Sequence, residues 1–208
     1  MSINHFPGNT DLHDDYDAKG RFSAYWHQID EIRRSKPRNC LEVGVGTGLV
    51  ATYLHRQGIQ IDTLDINAEL QPSIVGSVTK IPCADDAYDV VSCCQVLEHL
   101  PFDEFKPALT ELRRVSRNKM ILSLPDLERR YPFLLSVPKI GQLKFLMEVP
   151  RLKRMPWCFN GEHHWNIGTG EHPLGRIESA LKETGWRITR QYCVFEMPWH
   201  RFFILEKM

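Results

Sequence analysis

The sequence predicts an α/β domain with a mainly parallel sheet and helices on both faces. Three observations carry this. Short apolar, β-branched runs at 39–43, 59–65, 88–94 and 119–124 alternate with stretches of helical periodicity. A glycine turn, Gly44-Val-Gly-Thr-Gly48, sits between the first run and the helical stretch that follows it. The chain has 208 residues, 42% of them apolar, which suits one such core and is short for two.

Each element has its own signal. Residues 1–14 are polar and rich in Pro, Gly and Asn, and read as a loose arm. Phe22, Tyr25, Trp26, Ile29 and Ile32 recur at spacings of three and four, which predicts a helix within 15–35, ended by Pro37. Residues 39–43 form a short buried strand, 49–56 a helix and 59–65 a second strand. Residues 74–81 are a short strand or turn. The run YDVVSCC at 88–94 is a β-branched strand. A helix follows over 103–116, with Asp103 in its first turn and Arg113, Arg114 and Arg117 near its end, matching the helix dipole. A strand over 119–124 stops at Pro125. Residues 126–170 break the rhythm and read as an insertion. A helix over 173–184 ends at Gly185. Strands at 186–196 and 201–207, separated by Met-Pro-Trp-His, form an antiparallel C-terminal hairpin at the sheet edge.

Bulk composition excludes several function classes. Lys+Arg and Asp+Glu both number 26, so there is no positive excess for general nucleic-acid binding, and no nucleic-acid partner is expected. No apolar stretch approaches 18 residues, so no transmembrane segment is expected. The first residues are neither basic nor apolar, unlike a secretory leader. Six cysteines occur without any CxxC pair, which fits reduced core residues and a cytoplasmic setting. The whole chain, 1–208, reads as a single domain.

The glycine turn carries the functional signal. Glycines allow a tight bend and close ligand approach, and the following helix offers unpaired N–H groups. Asp65 ends the second strand, 23 residues after Glu42. A carboxylate there is placed to accept both ribose hydroxyls of an adenosine lying across the strand ends; its plainer role is a helix N-cap. The glycines stand at 44, 46 and 48, not in the GxGxxG spacing of dinucleotide folds, and no GxxxxGK[ST] loop is present.

Several ordered motifs then point the same way: LEVGVGTG at 41–48, TLDIN at 63–67, GSVTKIPCADDAYDVVSCCQVLEHLP at 76–101 and KMILSLP at 119–125. On these the chain resembles the class I S-adenosylmethionine-dependent methyltransferases, in particular the small-molecule group that includes ubiquinone and menaquinone biosynthesis enzymes. The resemblance implies a Rossmann-like, seven-stranded sheet whose last strand is antiparallel. It implies S-adenosylmethionine as cofactor, with S-adenosylhomocysteine as product. Glu42 and the backbone of Gly44, Val45 and Gly46 would then face the methionine part. Asp65 would hold the ribose, with Ile66 against the adenine. Ser77 and Val78 would meet the adenine edge, and Cys94 and Gln95 would flank the sulfonium. Ser77 departs from the family, which often has Asp there, and this implies weaker binding or a backbone contact instead.

The acceptor side is less sharply drawn. His99, in VLEHL, is the candidate catalytic residue near the methyl group; its alternative role is to hydrogen-bond the loop. In Gly161-Glu-His-His-Trp165, His163 and His164 are candidate acceptor contacts. No metal is expected there, because adjacent side chains diverge and a zinc site wants three or four ligands at set spacings. Tyr16, Tyr25 and Trp26 read either as a lid within the 1–36 arm-and-helix segment or as ordinary helix packing. The 126–170 segment reads as a cap-like insertion, a helical cap with a solvated basic face. Its stretch 126–160 carries seven basic and three acidic side chains among interleaved apolar ones. The other reading of it is an amphipathic cover for an anionic or lipid-linked acceptor, or a membrane-surface contact. The expected function is methyl transfer to a small-molecule acceptor. The alternatives are a non-catalytic S-adenosylmethionine- or partner-binding protein on the same fold and, more weakly, a nucleotide-dependent oxidoreductase.

Overall fold

A computed structural model describes residues 18–139, 141–151 and 155–208. Tyr16 and the arm at 1–14 lie outside the described residues. The main sheet has seven strands: β1 (Asn39–Val43), β2 (Gln60–Asp65), β3 (Ile74–Val75), β4 (Tyr88–Cys94), β5 (Ser116–Pro125), β8 (Trp186–Val194) and β9 (Met197–Lys207). Their order is β3-β2-β1-β4-β5-β9-β8. The pairs β1–β2, β2–β3, β1–β4 and β4–β5 are parallel, and β9 runs antiparallel to both of its neighbours. The sheet is thus Rossmann-like and mostly parallel, as the sequence predicts.

Strand alternation sends side chains to two cores. On one face Leu41, Val91, Met120, Leu122, Phe203 and Leu205 meet α3 (Phe105–Val115) and α4 (Leu174–Glu183). On the other, Cys40, Val90, Ile121, Phe202 and Ile204 meet α1 (Lys19–Arg34) and α2 (Leu49–Arg56). Helix α3 shows the logic most simply. Its buried residues Phe105, Ala108, Leu109, Leu112 and Val115 follow the 3.6-residue period. Burying each large one contributes about 1.5–3 kcal/mol. No helix among the described residues is long and apolar enough to cross a membrane.

Three expectations need correction. Helix α1 buries only part of the stripe predicted for it: Ile32 is buried and Tyr25 and Ile29 pack against the core, but Phe22 and Trp26 are exposed, and Ala24, Gln28 and Glu31 are buried beside Ile32. The buried polar groups have partners. Gln28 reaches Glu42 and Ser92, and Glu31 binds Arg190 and Tyr192. A polar buried face cannot be found by counting apolar residues.

The second correction concerns the C-terminal hairpin. Met197–His200 is not its turn but the start of β9, and β9 lies inside the sheet, leaving β8 at the edge. The segment is drawn into the sheet because Pro125 pairs with His200 and the Asp126 N–H donates to the Trp199 carbonyl at 2.8 Å.

Third, the insertion is not helical. β6 (Arg129–Val137) and β7 (Gly141–Val149) form a separate two-stranded antiparallel ribbon. Tyr131, Phe133, Leu135 and Val137 share one face of β6 and Arg130, Pro132, Leu134 and Ser136 the other, an alternation that Leu134 interrupts and the overall apolar count conceals. The turn between the strands uses positive φ at Lys139 and Gly141.

A buried charge cluster roots this ribbon. The Asp126 carboxylate accepts from Arg201 Nε at 2.6 Å and lies 3.0 Å from an Arg130 nitrogen, and all three side chains are nearly fully buried. Arg130 also holds Glu148 of β7 at 2.8 Å. Removing one member of a buried ion pair leaves uncompensated charge, at a cost of about 3–5 kcal/mol. Asp126→Ala is therefore expected to lower unfolding free energy by about that amount in a urea titration. A loss below about 1 kcal/mol would show that the two arginines find water instead.

Candidate functional site

A cleft of about 350 Å³ opens at the carboxyl ends of β1, β2 and β4, with Ser123 of β5 also in its wall. Glu42, Gly44, Val45, Gly46, Asp65, Ile66, Ser77, Val78, Cys94, Gln95 and His99 all line it. The sequence reading therefore converges on one place. Parallel registry explains the convergence. Val43 pairs with Leu64 and with Cys93, and Cys93 pairs with Leu122, so the residues that follow each strand emerge side by side.

Gly44 is fixed by contact. Its φ is +84°, and a Cβ there would sit 2.5 Å from Val96 Cγ2. The chain after β1 thus runs directly against the chain after β4, where only glycine fits. Asp65 then holds the glycine turn in place. Its Oδ2 accepts the Val45 N–H at 3.0 Å, and its Oδ1 accepts the Asn67 N–H at 2.9 Å. Each oxygen keeps acceptor capacity for a further partner. The helix-cap role falls to Asn67 instead, whose side chain accepts the Glu69 N–H.

Glu42 is the most unusual group in the cleft. It is buried, Oε1 accepts a 3.3 Å contact from Gln28 Nε2, and Oε2 has no hydrogen-bond partner. Burial pushes its pKa up to about 8, against which Gln28 and the Ala51 backbone N–H work only partly. Ser77 is occupied locally: its Oγ accepts the Thr79 N–H at 3.2 Å and lies 2.9 Å from Thr79 Oγ1. Ile66 projects its side chain outward, 77% exposed. Burial raises the Cys94 thiol to about 12, so it stays protonated and is no nucleophile. Gln95 takes a positive φ of 56°, turning the chain sharply after β4.

The acceptor-side candidates divide. His99 lines the cleft, and its Nδ1 lies 3.0 Å from the Glu162 carbonyl. Burial holds its pKa below the ordinary histidine value, so the ring is neutral near pH 7. His163 packs against His99, with ring centroids 5.0 Å apart. His164 is not brought in: it is exposed and stacks on Phe159. Trp26 also points away, 58% exposed, while its neighbour Tyr25 faces the cleft. Among the described residues, none of the β6–β7 ribbon lines the cleft. Sequence reasoning missed Arg21, Gln28, Ser123, His200 and Phe202, which do. Gln28 had a usable signal, a polar residue spaced by four from both Ala24 and Ile32. His200 had none, since only the pairing of β9 with β5 brings it there.

Residues 41–124 match the family model described as a methyltransferase domain. No curated protein matches the chain in sequence. Among solved structures, it is similar to the 1,6-didemethyltoxoflavin-N1-methyltransferase of Burkholderia thailandensis, with TM-score 0.61 and 12% identity over 92% of this chain and 79% of that one. It is similar to the magnesium protoporphyrin IX methyltransferase of Synechocystis, with TM-score 0.61 and 14% identity over 91% and 84%. It is also similar to the 4+2 cyclase SpnF, with TM-score 0.60 and 14% identity over 88% and 80%. At such identities these likenesses establish the fold alone.

The raised Glu42 pKa makes a pH prediction. Its ordinary value is 4.5, and it is about 8 in the folded protein. Between these, the folded chain keeps a proton that the unfolded chain has released. Glu42 therefore subtracts stability as pH rises through that window. Glu98, raised by burial from 4.5 to about 8, acts in the same direction. Histidines whose pKa burial lowers, His99 and His200 among them, act the opposite way below about pH 6.5, so the expected outcome is a difference: in thermal denaturation of the ligand-free chain from about pH 5 to about pH 8, the Tm of Glu42→Gln should gain on that of the unsubstituted chain as pH rises. An identical slope in the variant would mean that Glu42 titrates as an ordinary carboxylate.

Proposed function

We propose that the domain binds S-adenosylmethionine in this cleft and transfers its methyl group to a small-molecule acceptor. The observation that carries the reading is the buried, unpartnered Glu42 Oε2 in the same cleft as Asp65. A buried carboxylate without a partner suits a ligand that brings a cation. An amino-acid ammonium is such a cation, and a ribose diol suits the free acceptor capacity of Asp65. One ligand carrying both groups fits the cleft chemistry. The toxoflavin and protoporphyrin enzymes named above hold S-adenosylhomocysteine in their structures, and the first holds its small-molecule acceptor as well.

When bound, S-adenosylmethionine supplies a methyl group on a cationic sulfur, already activated for in-line displacement. The protein's task is alignment and exclusion of water. Glu42, held in place by Gln28, fixes the amino-acid end. Asp65 fixes the ribose and, through Val45, the glycine turn. Ile66 covers the adenine, and Ser77 and Val78 lie along its edge. Ser77 is already bonded to Thr79 and offers no charge, which removes one source of cofactor affinity. Cys94 and Gln95 lie beside the reacting centre, where the neutral thiol does not compete for the methyl group. His99 and Ser123 face the acceptor, with His99 meeting its nucleophilic atom.

A second reading has one observation in its favour: the fold is shared with a cyclase, so it carries chemistry other than methyl transfer. Formation of S-adenosylhomocysteine across a panel of hydroxyl, amine and thiol acceptors separates the two. Two substitutions test the residue roles. Hydrogen bonds to a carboxylate contribute about 1.5–3 kcal/mol each, so Asp65→Ala should weaken S-adenosylmethionine binding by more than about tenfold in calorimetry. An unchanged dissociation constant would remove Asp65 from the ribose. His99→Ala should lower turnover with little change in cofactor affinity; if affinity falls equally, His99 belongs to the cofactor site instead.

A further inference from the structure

We infer that Glu98, His99 and His163 form a binding site for a divalent transition-metal ion, Zn²⁺ by its ligand chemistry, at the acceptor end of the cleft. The inference deepens the proposed function and rests on His99 facing the acceptor. One potential ligand atom from each of the three side chains lies within 4.8 Å of the others. A tetrahedral zinc site with bonds of about 2.1 Å wants its ligands about 3.4 Å apart. Closing from the observed spacing takes side-chain adjustments of about 1 Å, within the reach of small rotamer changes.

The hydrogen bonds around the cluster suit metal binding. His99 Nδ1 faces the Glu162 carbonyl oxygen at 3.0 Å, and His163 Nδ1 faces the Asn166 side-chain oxygen at 2.8 Å. Both partners are acceptors, so both Nδ1 atoms carry the proton and both Nε2 atoms carry the lone pair. A metal-binding histidine is typically held this way, donating its other ring N–H to an oxygen that fixes tautomer and orientation. The third group is Glu98, which is fully buried and has Oε2 without a partner. Its other oxygen is 3.3 Å from the Gln95 amide nitrogen in the orientation that satisfies both of that amide's neighbours. A buried carboxylate with an oxygen unpartnered, whose ligand atom lies within 4.8 Å of one from each of two histidines, is a site in need of a cation.

Two nitrogens and one carboxylate oxygen favour zinc and its neighbours over magnesium or calcium, which prefer all-oxygen shells. Three protein ligands leave a fourth position open, as in zinc sites that bind substrate. His99 lines the cleft, so that position faces the proposed acceptor. An oxygen or nitrogen of the acceptor would fill it and be held in line for the methyl group.

The backbone brings these ligands together firmly. Glu98 and His99 end a short 3-10 turn after β4, and His163 lies in the loop ahead of α4. The His164 N–H donates to the Glu98 carbonyl at 2.8 Å, and the buried Trp165 donates through Nε1 to the Leu100 carbonyl at 3.1 Å. The two segments are thus pinned on both sides of the cluster. Arg21 is the other cation acting on Glu98, through the field it exerts from α1. The test must therefore distinguish a bound ion from charge balance by this guanidinium.

The purified chain, treated with chelator and dialysed, is titrated with Zn²⁺ by calorimetry and with Co²⁺ by visible absorption. One equivalent of zinc per chain is expected, with Co²⁺ giving the intense d–d bands of a four-coordinate site. His163→Ala should weaken zinc binding by at least about tenfold, and Asn166→Ala by about tenfold through loss of ring orientation. His164→Ala, which alters the adjacent exposed ring, should leave it unchanged. If His163→Ala does not fold, the Asn166 variant and the Co²⁺ spectrum still decide. No stoichiometric binding overturns the site and leaves Glu98 balanced by Arg21 or by a proton. Equal binding in the His163, Asn166 and His164 variants overturns it too, as adventitious metal. Zinc bound at this site with no methyl transfer to any acceptor would overturn the proposed function and keep the site. Methyl transfer by fully metal-free protein at an unchanged rate would overturn the acceptor-holding role proposed for the ion.

Discussion

Parallel strand registry is the constraint on which the rest of this molecule depends. Strands β1, β2, β4 and β5 run the same way, so the segments following them emerge at one end of the sheet. Their carbonyl ends cannot all pair there, and polar side chains and glycine turns gather in the gap. Gly44 against Val96 shows how tightly the β1 and β4 exits are juxtaposed. Asp65 converts that juxtaposition into a fixed turn by accepting the Val45 N–H. The cleft is what remains between these exits.

Burial gives that cleft its chemistry. Glu42 and Glu98 are both carboxylates removed from water, and both are pushed to about 8. A folded protein tolerates such groups when something else supplies charge or when the group holds a proton. Glu42 lines the cleft beside Gln28 of α1, whereas Glu98 precedes the lining residue His99, its carbonyl accepting the His164 N–H. The proposed amino-acid end and the proposed metal end are thus the same physical problem met twice, an acid held dry with one oxygen unpaired.

The segment 126–170 serves two ends of the molecule. Its first half is the β6–β7 ribbon, rooted by Asp126 between Arg130 and Arg201, and it carries Tyr131, Phe133, Leu135, Leu143, Phe145 and Met147 in exposed positions. Its second half returns along the end of β5, where Ile167 bridges to Asp126, and buries Trp165 against Phe102 and Phe105. That anchored tryptophan is what carries His163 to His99. The ribbon adds nothing to the cleft wall among the described residues, whereas the loop ahead of α4 supplies His163, packed on the lining residue His99.

The sequence by itself determined the strand–helix alternation, the glycine turn and Asp65 at the end of β2, and its resemblance to the methyltransferases implied a shared site for Glu42, Ser77, Cys94 and Gln95 near His99. These signals are local, because a strand end and the loop after it are adjacent in the chain, and parallel pairing does the rest. It also carried a period of two in residues 129–149 that a count of apolar residues passed over. Only the tertiary structure decided the remainder. The buried face of α1 depends on polar partners supplied by β1, β4 and β8, which no helical period encodes. His200 reaches the cleft only because β9 inserts antiparallel beside β5. Glu98, His99 and His163 become one cluster only through the burial of Trp165, which closes a long stretch of chain onto the turn after β4. Spacing along the chain places Glu162, His163 and His164 side by side and argues against a metal there. Packing sends His164 out onto Phe159 and turns His163 inward against His99 in the 3-10 turn after β4, a choice made by side-chain packing and not by sequence distance.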